Sequence, residues 1–317
     1  MATNPRRYAG YLVVSVMMLA GCSGEAIDPN DQVPPDILAG VIDSLGVTIA
    51  AQYVIRDQAN RLVEHLESRH TEGGYRDLKP QELADVLTSD LREWSGDKHF
   101  LVWHTGTLPP IQNNAIAAES VPNPEQPQFR LLSGNIAFLH GIRKISLRDT
   151  RRFEQALVRV SGADGLIIDL RECFGGDRDA VRLVASYFFE PPFLLQIEEE
   201  VGKPAAEIWA HDRIEGKRLL TMPVIVLTSK RTASGGESLA YLLQQHGRAK
   251  MVGEKTFGAA HAVKTFDLSD GFRAFIPRVR PIHPKTRTNW EGTGVKPDLA
   301  VAAEEALEVG VAQVLNQ

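Results

Sequence analysis

The stretch that most constrains this chain runs from Pro223 to Gln244. Val224 to Leu227 is an unbroken apolar segment rich in β-branched residues, the pattern of a strand buried on both faces. From Ala233 onward the apolar positions Leu239, Leu242 and Leu243 follow helical spacing. Between them lies a small-residue turn, Thr232-Ala-Ser234-Gly-Gly-Glu237, with Ser234 at its apex. A serine there stands at a sheet edge and at the positive end of a helix, where backbone N–H groups can stabilise an oxyanion. The same residues also form an S-x-x-E capping box, in which the serine merely caps the helix. The G-x-S-x-G elbow is excluded, because Thr232 occupies the first glycine position.

A chain of 317 residues has room for one large core or two domains. Its 43% hydrophobic and 24% charged content is that of a globular protein. A net charge of −5 and no basic stripe argue against a nucleic-acid partner. The nine histidines include no H-E-x-x-H, the two cysteines no C-x-x-C, and Gly253-Glu-Lys-Thr256 lacks the P-loop order. No metal and no cofactor is therefore expected.

The amino terminus reads as a targeting segment. Arg6 and Arg7 precede a mostly apolar run, Tyr8 to Ala20, of thirteen residues, shorter than the ~20 that span a bilayer as a helix. It ends in Leu19-Ala20-Gly21-Cys22, which resembles the lipobox of bacterial lipoproteins. That resemblance implies cleavage before Cys22, its lipidation, and a membrane-tethered envelope protein. Ser23 after the cysteine favours the periplasmic face of the outer membrane by the usual sorting pattern. Cys173 would then be the one remaining cysteine, so no internal disulfide is expected.

Apolar stripes through Ile37, Val41, Leu45 and Ile49, then Leu62, Val63 and Leu66, then Leu83, Val86, Leu87 and Leu91 predict three helices. Lys98 to His104 reads as a strand that begins at His99, and Thr105 to Gln128, with five prolines, as a linker. Strands are predicted at 135–139, 165–170, 249–252, 263–268 and 271–276. Helices are predicted at about 148–160, 177–188 and 304–315. The alternation indicates α/β architecture.

Three further runs could carry chemistry. Asp169-Leu-Arg171 leads through Cys173 and Phe174 to Gly175-Gly176, either an oxyanion donor or a tight strand-to-helix turn. His99 follows Asp97-Lys98, and is either a base or a hydrogen-bonded structural histidine. Glu291 sits within Trp290-Glu291-Gly-Thr-Gly294-Val-Lys-Pro297-Asp298, and is either a functional or a solvated acid.

In this order, these four runs resemble the C-terminal processing (tail-specific) serine peptidases. The closer likeness is to the branch without an inserted PDZ domain, which includes tricorn protease and the repeats of interphotoreceptor retinoid-binding protein. The resemblance implies a crotonase-like α/β core, a spiral of β-β-α units, with a small N-terminal helical bundle. With the amino-terminal and compositional readings above, the chain divides into a leader (1–22), a tether (23–35), a helical domain (36–96), a strand with a proline-rich linker (97–130) and a peptidase-like core (131–317). The resemblance implies Ser234 as nucleophile. Ala259 stands where Ser-Lys members carry their base, so the tricorn-like assignment applies: His99 as general base and Glu291 orienting it. Gly235 with Gly175 or Gly176 would supply the oxyanion N–H groups. The expected activity is endopeptidase cleavage of a peptide or protein substrate through an acyl-enzyme. The alternative is an inactive protein that binds a lipid or small apolar ligand on the same scaffold. Cys173 and Phe174 depart from the Asn and Gly common in the family, and Phe174 adds bulk beside the oxyanion glycines.

Overall fold

The computed structural model describes residues 27–106 and 127–316. The expected leader, Cys22, residues 23–26 of the tether and the body of the proline-rich linker lie outside these residues.

Three helices come first: α1 (Pro35–Gln52), α2 (Arg56–Thr71) and α3 (Pro80–Ser95). Proline opens α1 and α3, where its missing N–H and fixed φ suit the first turn. Gly96 closes α3 at φ 71°, the left-handed cap that glycine adopts without strain. The strand β1 (Leu101–His104) follows. His99 lies in the turn before β1 rather than in the strand, because its backbone N–H is taken by the Asp97 side chain instead of a neighbouring strand.

The chain continues through β2 (Gln128–Leu132), β3 (Ile136–His140), β4 (Lys144–Ile145), α4 (Thr150–Val160), β5 (Gly165–Asp169), β6 (Gly175–Gly176) and α5 (Arg178–Ser186). Next come β7 (Leu194–Glu200), β8 (Ala206–Trp209), β9 (Val224–Thr228), α6 (Gly235–Gln245), β10 (Lys250–Gly253), β11 (Ala262–Asp267), β12 (Phe272–Ile282), β13 (Leu299–Ala300) and α7 (Ala306–Leu315). The architecture is mixed α/β with N-terminal helices.

One sheet has the order β13-β10-β9-β5-β3-β2, parallel except for β2. Both its faces are covered, and strand periodicity sorts the residues. Leu166, Ile168, Val224 and Val226 face the core that includes Phe153, Leu157, Val184 and Leu239 of α4, α5 and α6. Ile167, Ile225 and Leu227 face Ala306 and Val314 of α7. The second sheet has the order β1-β12-β7-β8, with β11 also on β12. Its residues Val102, Phe272, Ala274 and Ile276 share one core with Leu45, Leu66, Leu83 and Leu91 of the three helices.

β12 runs six residues past its expected end, through Pro277 and Pro281. Each proline falls where one flank of the strand has no ladder partner, so no hydrogen bond is lost. The turns after β5 and β9 leave the carboxyl ends of adjacent parallel strands, the usual place for a site in such a sheet.

Candidate active site

Ser234 is the N-cap of α6 and has φ 49°, ψ −115°. A non-glycine residue in that region is strained, and such strain collects at functional turns. The turn is held from below. Thr232 Oγ1 donates to Leu170 O at 2.8 Å, and Ala233 N–H donates to Cys173 O at 2.9 Å. The β9 turn is thus tied to the β5 turn. Gly235 lies directly on Gly175–Gly176: a Cβ added to it would fall 2.4 Å from Gly176 N and 2.9 Å from Gly175 C. Only glycine permits this approach.

Phe174 is half-buried, with the Arg143 guanidinium 5.9 Å from its ring centroid. Cys173 is fully buried, and burial pushes its thiol up to about 12. It is a packing residue rather than a reactive one.

Glu237 does more than cap. Fully buried, it accepts Ser234 N–H at 2.9 Å, Thr256 Oγ1–H at 2.5 Å, and the N–H groups of Gly258 and Ala259 at 2.6 and 2.9 Å. Burial raises its pKa, and the four donors pull against that rise. The next two N–H groups, Ala260 and His261, donate to Glu291 Oε2 at 2.5 and 3.1 Å. Lys98 N–H reaches Glu291 Oε1 at 3.3 Å. Trp290 Nε1 donates to Ala259 O at 3.0 Å and fixes the loop that carries Glu291.

His99 completes the cluster. Its Nδ1 lies 3.8 Å from Glu291 Oε2 and 3.8 Å from Asp97 Oδ1. These are ion-pair distances, and Nδ1 has no hydrogen-bond partner among the described residues. Burial alone would depress the imidazole. The carboxylates of Glu291, Asp97 and Glu237 outweigh burial and raise its pKa. Burial would likewise raise Glu291, but His99, His261 and the Ala260 N–H hold it at about 2.

Ser234, Gly235, Gly175 and Gly176 therefore meet at one edge, while His99 and Glu291 meet at the other end of the 258–261 run. Two residues of this cluster, Asp97 and His261, carried no assignment in the sequence. His261 Nδ1 is 2.6 Å from Asp97 Oδ2. Asp97, His261 and Glu291 hold ligand-type atoms within 4.8 Å of one another. A metal there would have to displace the donors already on both carboxylates: His261 Nδ1 and His99 N–H on Asp97, and three backbone N–H groups on Glu291.

Two family models match the core and the N-terminal segment of this chain. The model of peptidase family S41 matches residues 135–301, and that of the N-terminal domain of this family in eukaryotic IRBP matches residues 36–132. A carboxyl-terminal-processing protease of Picosynechococcus sp. is 32% identical over 146 residues, 45% of this chain and 33% of that protein. Its counterpart in Synechocystis sp. is 36% identical over 110 residues, 35% of this chain and 25% of that protein. The matches thus span a third or less of these relatives.

Among solved structures, a lipoprotein from Streptococcus agalactiae has a TM-score of 0.61 at 17% identity, covering 90% of this chain and 98% of that one. The photosystem II D1 C-terminal processing protease has 0.58 at 17%, with the same coverage. Tricorn protease has 0.58 at 12%, covering 89% of this chain and 37% of that one. At these identities the likeness is one of fold, here the crotonase-like α/β fold of S41 peptidases. Together, the two family models account for the core and the helical segment alike: the chain belongs to peptidase family S41, a serine peptidase family.

Proposed function

We propose that this protein is a serine endopeptidase that works through an acyl-enzyme, with Ser234 as nucleophile, His99 as general base and Glu291 orienting His99. One observation carries the reading. The 258–261 run joins the serine turn, through Glu237, to the carboxylate that faces His99. With Nδ1 turned toward Glu291 and Asp97, the other ring nitrogen is the one to take the Ser234 proton and return it to the leaving amine. Glu291 stabilises the imidazolium formed in that step. The oxyanion is held by Gly235 N–H and by Gly175 or Gly176 N–H, whose backbones touch. The loose 3.8 Å contacts of His99 tighten when a peptide fills the site, as is common for unliganded enzymes.

The test is labelling of the purified protein with a fluorophosphonate serine probe. Wild type labels; Ser234→Ala and His99→Ala do not. A wild type that labels no faster than Ser234→Ala sinks the peptidase reading and leaves the ligand-binding alternative.

The substrate is a polypeptide in extended form, and the carboxyl-terminal-processing relatives support cleavage toward a C-terminus. We further infer an envelope location with Cys22 as lipid anchor. The sequence before residue 23 and a lipoprotein of the same fold support it. Among the described residues no helix is long and apolar enough to cross a membrane. Cys22→Ala should move the protein from the membrane fraction to the soluble one; unchanged fractionation rejects the anchor.

A further inference from the structure

The triad leaves two buried groups of the same cluster unused. Asp97 and His261 are 1% and 4% exposed, and their 2.6 Å contact is a charge-assisted hydrogen bond. They come from distant parts of the chain. Asp97 follows the C-cap of α3, and His261 immediately precedes β11. A buried polar pair is a weak source of stability, since desolvation offsets most of the attraction. Its value must lie in what else it holds.

Each partner has a second bond, and both lead to the triad. Asp97 Oδ1 accepts the His99 backbone N–H at 3.0 Å, which fixes where His99 leaves the α3 cap. The His261 backbone N–H donates to Glu291 Oε2 at 3.1 Å, which fixes the carboxylate facing the His99 ring. His261 is thus linked to the main chain of the base through Asp97, and to its orienting acid directly. The ring tautomer follows: Nδ1 carries the proton toward the carboxylate.

We propose that His261 is a positioning residue for catalysis: held by Asp97, its Nδ1–H sets the register of His99 against Glu291. The proposal rests on the Ser234–His99–Glu291 reading. His261 touches no reacting atom and acts through Asp97 and Glu291.

Two polar substitutions separate a positioning role from packing. Asparagine places its amide nitrogen where Nδ1 stands and keeps the donor to Asp97. Glutamine places its amide nearer the position of Nε2 and loses that donor. Fluorophosphonate labelling rates are measured on the full chain against pH, with thermal unfolding of each variant as a check on folding. Besides His99 itself, the charged or titratable groups that face this cluster are Asp97, Glu237, Glu291, the Arg92 guanidinium, the Tyr53 hydroxyl and His261, and only His261 is altered.

His261→Asn should label within about threefold of wild type with the same acid limb. His261→Gln should label at least about tenfold more slowly, with a displaced acid-limb midpoint. Equal rates and midpoints in wild type and His261→Gln overturn the inference, and so does an equal loss in both variants. A wild type that labels no faster than Ser234→Ala is a different failure, that of the triad itself.

Discussion

Glu237 and Glu291 divide between them the backbone N–H groups of one four-residue run, Gly258 and Ala259 going to the first, Ala260 and His261 to the second. The serine turn and the base are therefore referenced to a single piece of chain. Glu237→Ala would strip four buried donors of their acceptor: the N–H groups of Ser234, Gly258 and Ala259, and the Thr256 hydroxyl. The expected loss is about 3–5 kcal/mol, read as a lower urea midpoint with fluorophosphonate labelling abolished. A variant with wild-type stability would mean that water replaces the carboxylate at little cost.

The charges around His99 set a pH dependence with a definite sign. A base must be neutral to accept the serine proton. Its pKa is raised by the neighbouring carboxylates, Glu291 foremost, against the effect of burial. The acid limb of the labelling rate should therefore lie above ~6.5, the ordinary histidine value. Glu291, held at about 2, stays ionised across that range. Glu291→Gln removes the charge, so the limb should move to lower pH while the plateau falls roughly 100-fold. An unmoved limb would show that Glu291 does not act on His99.

Contact between the two glycine turns gives a steric prediction. A Cβ on Gly235 would lie 2.4 Å from Gly176 N and 2.6 Å from its Cα. These are backbone atoms that cannot step aside. Gly235→Ala should force the turns apart, lower the melting temperature and reduce labelling at least about tenfold. Gly162, with nothing within 4 Å of its Cβ position, is the control: Gly162→Ala should label as wild type does. Equal behaviour of the two variants would mean that the close approach is dispensable.

What the sequence reveals of this site tracks how local each feature is. Ser234 and its turn were legible because a buried strand, small residues and a helical stripe follow one another directly. The capping bond from Ser234 N–H to Glu237 was legible for the same reason. The further hold of Glu237 on Thr256, Gly258 and Ala259 was not, because it spans 19 to 22 residues of chain. His261 pairs with Asp97 across 164 residues, and no spacing rule reaches that far. Asp97 lies two residues before His99, yet only the tertiary contact with His261 distinguishes it from a solvated acid. β7 went unread because Glu198, Glu199 and Glu200 look like a polar surface run. Glu198 is in fact buried and paired with Arg178 at 2.6 Å.

Away from the triad, His246 and His283 predict a loss of stability on acidification. Their rings lie 4.5 Å apart. His246 is the C-cap of α6, bonded through Nε2 to Leu195 O at 2.8 Å. His283 is 2% exposed and accepts the Thr286 N–H at Nδ1. Burial, then His246 and Lys285, lower the His283 pKa to about 4, and burial first of all also lowers His246. The folded state thus binds the proton less readily than the unfolded chain, whose histidines titrate near ~6.5. Stability is fully present above that pH and is lost as pH falls from ~6.5 toward 4. His283 should account for roughly 1–2 kcal/mol of that loss once screening is allowed for. His283→Asn places an amide oxygen where Nδ1 stands, keeps an acceptor for the Thr286 N–H, and cannot titrate. Melting temperatures of the two proteins should therefore keep a constant offset above pH ~6.5, and the wild type should fall relative to the variant as pH drops toward 4. Parallel curves across that window would assign the acid sensitivity to other groups.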